Sequence, residues 1–141
     1  MNDIDFSRAV EEIKRADHLY FVTLKYTRTA DVISNTVKRL ISSIEMAAED
    51  ALDYLKSKNK VKEIPVTNKE RVTLLRKFAL NDEDIEFYNF LKRIDRSKYT
   101  GKEEYRKNVA LVTHFVEVDI NLLGDYFERT KNIVDKVARI K

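Results

Sequence analysis

Cysteine is missing altogether from this chain, which removes disulfides, thiolate nucleophiles and zinc–thiolate sites from consideration. Glycine occurs only at Gly101 and Gly124 and proline only at Pro65, whereas a sheet protein of 141 residues would need many tight turns built from such residues. No apolar run approaches the roughly 20 residues that cross a bilayer, and Asp3 and Asp5 stand where a signal peptide would carry basic side chains. The sequence therefore predicts a cytoplasmic protein with no membrane span. Its length suits one domain over residues 1–141, burying about 68% of the unfolded surface.

What is present is Ile, Leu and Val set among Lys, Glu, Arg and Ala at helical spacing. That pattern predicts an all-α, up-and-down-like bundle of five or six helices with a long second helix. The first helix is expected over about residues 3–26, with Phe6, Val10, Ile13, Ala16 or Asp17, Tyr20 and Leu24 on one face. The polar stretch TRTAD at 27–31 breaks it. The second, to about residue 59, turns Ile33, Val37, Leu40, Ile41, Ile44, Ala48, Ala51, Leu52 and Leu55 inward and is about 40 Å long. Ala47, Ala48 and Ala51 keep one flank slim, for a helix of this chain or of a second copy.

Thr67 and Glu70 have the spacing of a capping box for a short third helix. A fourth begins at Asn81 or Asp82 and buries Ile85, Tyr88, Leu91 and Ile94, with Phe87 and Phe90 widening the face. Thr100 and Glu103 are spaced as a further capping box, so a fifth helix is expected to present Tyr105, Val109, Val112 and Val116. Its VTHFVEVD stretch is rich in β-branched residues, for which we expect a bend rather than a strand. The last helix, over residues 120–140, uses Leu123, Tyr126 or Phe127, Thr130 or Ile133, Val134 and Val137.

The formal net charge is only +3, but it is unevenly spread. Residues 1–54 carry 7 basic and 10 acidic side chains, residues 55–80 carry 8 and 2, and residues 92–107 carry 7 and 3. Folded helices could align the basic blocks on one face, or leave them as a solubilising surface. No phosphate-binding glycine loop, zinc-protease helix or calcium loop is present, and no metal or cofactor is called for. The two histidines belong to the residue type that titrates near neutrality. His18, beside Lys14 and Arg15, reads as packed or exposed; His114, within ALVTHF, reads as partly buried.

Arginine and tyrosine together suit nucleic acid, since guanidinium grips phosphate and an aromatic ring stacks on a base. Lys92, Arg93, Arg96, Lys98, Tyr99, Lys102 and Arg106 are the candidate contact surface for RNA or a protein partner. The alternative is that Tyr99 plugs the bundle end while the arginines pair with Asp95, Glu103 and Glu104.

A long helix pair with an aromatic-rich first member, a shorter third helix and then FLKRIDRSKYTGKEEY entering the last helices resembles the HEPN superfamily of nucleotide-binding helical domains. The resemblance spans about residues 5–138 in helix order and is specific around residues 91–99, where Arg93, Arg96 and Tyr99 occupy the position of a family element. It implies RNA-linked function in toxin–antitoxin or defence-type assemblies, a homodimer, and association with a small nucleotidyltransferase-like protein. Many members are metal-independent ribonucleases with an arginine and a histidine separated by four to six residues. Here Arg106 and His114 have seven residues between them, and on an ideal helix they point about 80° apart; Lys107 would replace the arginine at a spacing of six. The leading expectation is thus a degenerate, non-catalytic RNA- or protein-binding module. The competitors are a ribonuclease using Arg106 and His114 with Lys107, and a structural or adaptor dimer that ignores nucleic acid.

Overall fold

A computed structural model describes residues 7–23, 29–102 and 109–140. Among these the architecture is a helical bundle of five helices with one small sheet. Helix α1 (Ser7–His18) continues into a π-helical turn, Leu19–Thr23. Helix α2 (Ala30–Ser57) is the long one, at 28 residues. Helix α3 (Asn68–Leu74), helix α4 (Asp82–Arg96) and helix α5 (Ile120–Ala138) follow. Between the last two lie β1 (Thr100–Lys102), β2 (Ala110–Val112) and β3 (Glu117–Asp119), an antiparallel sheet in that order.

Short polar side chains start the four helices α2 to α5. Thr29 accepts from the Val32 amide, Thr67 from the Glu70 amide and Asp119 from the Leu122 amide, each satisfying a donor that the first helical turn leaves open. Asn81 and Asp84 form a reciprocal capping box. At the far end of α2, Asn59 takes a φ of 61°. The Asn59 amide donates to Lys56 O and the Lys60 amide to Leu55 O, the paired bonds of a Schellman stop in which Asn tolerates the left-handed conformation.

Helix α2 is the centre. Fourteen of its residues are buried, including all nine apolar positions expected from its periodicity. Contacts Lys38–Asp95 and Glu45–Tyr88 run α4 antiparallel to it, and Asp84–Lys136 with Phe87–Tyr126 run α5 antiparallel to α4. On the other flank α1 lies antiparallel too, held by Arg8 to Asp50 at one end and Glu12 to Arg39 at the other. Ser43 and Ala47, both 0% exposed, fall between those anchors at helical spacing. The slim flank is therefore occupied from within the chain.

Two expectations need correction. The buried face of α1 is Ala9, Glu12 and Ala16, while Val10 is 45% exposed and Ile13 only packs at the margin. Small residues allow close approach to α2, and the carboxylate reaches Arg39; hydrophobicity alone pointed one residue away. Ala16 is buried and Tyr20 packs against the core, while Phe6 and Leu24 lie outside the described residues. The second correction concerns the fifth helix. Thr100 and Gly101, expected to open it, belong to β1, and Val109 to Asp119 form a hairpin in place of a bend. Its register pairs Leu111 with Val118, both buried. Thr113 closes the turn: its hydroxyl accepts from the Phe115 and Val116 amides, and its own amide donates to Val116 O. Such local side-chain bonding competes with helix, and the β-branched neighbours favour the pleated alternative. Glu103 and Tyr105 lie outside the described residues.

Gly124 is where α5 meets the π-helical turn. A Cβ there would stand 2.5 Å from the Tyr20 hydroxyl and 3.1 Å from its Cζ, while Tyr20 is stacked on Phe127 with centroids 6.2 Å apart. Gly124→Ala should therefore lower stability despite its better helix propensity: overpacking of about 1–3 kcal/mol outweighs a propensity gain of about 1 kcal/mol. In a Tyr20→Phe background, which removes the nearest atom, the loss should shrink by about half or more. Urea unfolding of the four proteins in this cycle measures the coupling; additive losses would show that Tyr20 does not oppose the added methyl.

Candidate functional site

The expected contact residues, six cations and Tyr99, are not all left open. Lys92 donates to Glu45, which also accepts from the Tyr88 hydroxyl at 2.6 Å. Tyr99 donates to Asp31 at the start of α2, so its hydroxyl ties the chain after α4 to the bundle, but the ring is exposed and does not plug the bundle end. Lys102 pairs with Glu117 across the sheet at 3.5 Å. Arg96 turns its Nε back onto Lys92 O, and Lys98 is exposed. Asp95 pairs with Lys38 rather than with an arginine. Arg106 and Lys107 lie outside the described residues, so the Arg106–His114 pairing has no geometry to report. His114 itself is not on a helix and is not partly buried: it is exposed in the four-residue connection, residues 113–116, between β2 and β3. The helical angle between it and Arg106 thus has no meaning in this fold.

Arg93 is placed differently. Its guanidinium lies 3.9 Å from the centroid of Phe115, within the range in which a cation is attracted by the ring face. Phe115 also contacts Phe90 edge-on at 5.9 Å, and the His114 ring at 5.1 Å. Phe90 touches Tyr126, and Tyr126 touches Phe87, with centroids 5.8 and 5.7 Å apart. Arg129 covers Phe87 at 4.3 Å. The result is a row of four aromatic rings crossing from the β2–β3 turn along α4 and α5, with an arginine at either end.

The two ends differ electrostatically. Around Arg129 the row borders a shallow cleft of about 410 Å³ that also carries Glu83 and Glu86, which oppose an anionic ligand. Around Arg93 the exposed neighbour is His114. Sequence reading found Arg93 but missed Phe115 and Phe90 as its companions, because their proximity is created by the hairpin. Among the described residues no group of three or more His, Cys, Asp or Glu could hold a metal ion, and no helix is long and apolar enough to cross a membrane.

No known protein family, curated protein or solved structure matches the chain. The chemistry of the site accordingly rests on its own residues. A guanidinium held over a ring face by its central carbon does not spend its N–H groups on that contact, so they can serve phosphate oxygens, and a half-buried phenylalanine can accept a stacked base.

The aromatic row also bears on alkaline stability. Burial pushes the Tyr126 phenol up to about 12; Arg129 works against that shift, and Asp119 and Asp125 add to it. Tyr88 is raised as well, by burial first and then by its hydrogen bond to Glu45. A phenol with a raised folded value holds its proton more tightly in the folded state, so its stabilisation is whole below the unfolded value of about 10 and is lost as pH rises through the folded one. Stability should fall between pH 10 and about 12, by up to about 1.4 kcal/mol per pH unit for each such group. Urea titrations across that range should show a shallower fall in Tyr126→Phe. Phenolate absorbance should lag for Tyr88 and Tyr126 until unfolding; full ionisation of all seven tyrosines near pH 10 in the folded protein would contradict this.

Proposed function

We propose that this protein is a non-catalytic, HEPN-like binding module for single-stranded RNA, using the end of the bundle where α4 meets the β2–β3 turn. The observation that carries the reading is the Arg93 guanidinium over Phe115 beside exposed His114. Arg93 grips phosphate, Phe115 and Phe90 offer stacking surface, and Arg96 and Lys98 add positive charge along the approach. Lys92, Tyr99 and Lys102 serve this site by holding its frame, because Glu45, Asp31 and Glu117 already engage them.

The active-ribonuclease alternative would use His114 together with Arg106 and Lys107, which lie outside the described residues. A catalytic base needs its imidazole oriented, and among the described residues no hydrogen bond holds the His114 ring. The toxin–antitoxin or defence setting, the homodimer and the nucleotidyltransferase-like partner belong to the family resemblance and are proposed on that ground alone.

Fluorescence anisotropy of a labelled, unstructured RNA oligomer, titrated with the protein across a salt series, tests the reading. Affinity should fall as salt rises, and Arg93→Gln should reduce the log–log slope by about 0.7, the contribution of one phosphate contact on a single strand. Phe115→Leu should weaken binding about fivefold to a hundredfold with the slope retained, as expected for loss of one stacked base. Binding that is absent, or indifferent to salt and to both substitutions, overturns the proposal. Cleavage in the presence of chelator that disappears in His114→Ala would replace it with the ribonuclease reading.

A further inference from the structure

A second concavity lies on the opposite flank of α2, lined by Glu11, Lys14, Arg15, His18, Leu19 and Arg39, with a volume of about 410 Å³. Beneath it is Glu12, a carboxylate whose side chain is only 3% exposed. It accepts from Arg15 Nη1 at 2.7 Å, and both of its oxygens accept from Arg39 Nη1 at 3.3 Å. The two arginines are themselves 54% and 45% exposed. A buried charge normally demands close pairing; here one buried carboxylate sets two guanidiniums from different helices side by side at the surface.

Each guanidinium meets Glu12 through one terminal nitrogen, Nη1, so the Nε–Nη2 edge of its donor fork takes no part in those contacts. That edge matches two oxygens of a phosphoryl group. Lys14 supplies a point charge and His18 a further ring donor at the same walls. Glu11 and Glu12 offset two of the three permanent cations, so the site favours an anion through fixed donors more than through net charge. Structural pairing alone would need one arginine for one carboxylate; the second arginine, the lysine and the histidine around one hollow are what it leaves unexplained.

We propose that this hollow between α1 and α2 is a phosphate-binding site, with Arg15 and Arg39 as its gripping residues and Glu12 as the positioning residue beneath them. The site stands apart from the Arg93–Phe115 surface and does not rest on the RNA reading. The ligand chemistry has two sources: a free phosphate or small phosphate ester, and the backbone of a nucleic acid. The second is geometrically open, because Arg39 follows Lys38, whose ammonium reaches Asp95 at the C-terminal end of α4. The hollow thus adjoins the turn of α2 that meets the C-terminal end of α4, the helix that carries Arg93.

Nitrogen-15 NMR of the arginine side chains in the intact chain, titrated with inorganic phosphate at constant ionic strength, is the direct test. Saturable shifts of the Arg15 and Arg39 Nε–H signals are expected, with affinity reduced about tenfold in Arg39→Gln and in Arg15→Gln. Arg39→Lys, which keeps a cation for Glu12 but loses the fork, should unfold at the wild-type temperature yet bind phosphate weakly. An RNA oligomer titrated against the same variants identifies the source. If phosphate shifts the signals and RNA affinity is unchanged in Arg39→Gln, the ligand is a small phosphate; if RNA affinity and salt slope both fall, the hollow holds a backbone phosphate. If neither ligand responds to any of the three substitutions, the inference fails and the ion pairs are structural only. The Arg93 and Phe115 variants report separately on the other surface, so either site can fail alone.

Discussion

Burial of α2 on several sides is the constraint on which the rest of the molecule depends. A helix of 28 residues with fourteen buried side chains must meet α1, α3, α4 and α5 together, and its polar positions must then be satisfied inside the fold. Thr36 and Ser43 answer by bonding back to Val32 O and Leu40 O. Glu45 reaches Tyr88 and Lys92 on α4. On the α1 side, where alanines bring the helices close, the charged solution is Glu12 with Arg39 and Arg15. The hollow between α1 and α2 is a consequence of that arrangement, since it collects cations where α1 meets α2, whereas the Arg93–Phe115 site forms where α4 meets the β2–β3 turn.

Charge counted along the chain overstates what the surface offers. Lys38, Lys92, Lys102 and Lys136 each face a carboxylate, and exposed pairs of this kind contribute only about 0–1 kcal/mol each to stability. They matter more for what they withhold: a lysine committed to Glu45 or Glu117 gives less to a ligand than its position in a basic block suggests. Arg93 and Arg129 differ, because each guanidinium lies over a ring face, a contact that does not use the N–H donors at its edge. Arginine suits such a position and lysine does not, since a planar cation can stack and donate together.

The hairpin shows why the region between α4 and α5 was harder to read than the rest. Val109, Val112, Val116 and Ile120 fit a four-residue stripe, but Leu111 and Val118 fit a two-residue alternation equally well, and a short apolar run does not choose between them. The choice was made by Thr113 closing its turn and by β1 and β2 pairing across residues 103–108, a contact between segments that local propensity does not weigh. Once the hairpin exists, His114 moves from a presumed helix face to a loop tip and Phe115 comes under Arg93. The helix caps, by contrast, are local: Thr67, Asn81 and Asp119 bond amides three residues away, and the first two were legible from spacing.

The sequence by itself therefore determined the helical class, the long central helix with its apolar stripe, most helix starts, and the buried faces of α4 and α5, because these follow from periodicity and from bonds spanning one turn. Only the tertiary structure decided the rotation of α1 onto Ala9, Glu12 and Ala16, the strands in place of a fifth helix in the connection, and the company each arginine keeps. Those outcomes turn on contacts between residues far apart in the chain, such as Glu12 with Arg39 and Arg93 with Phe115. Their energies depend on how closely two surfaces approach, and no pattern within either segment records that distance.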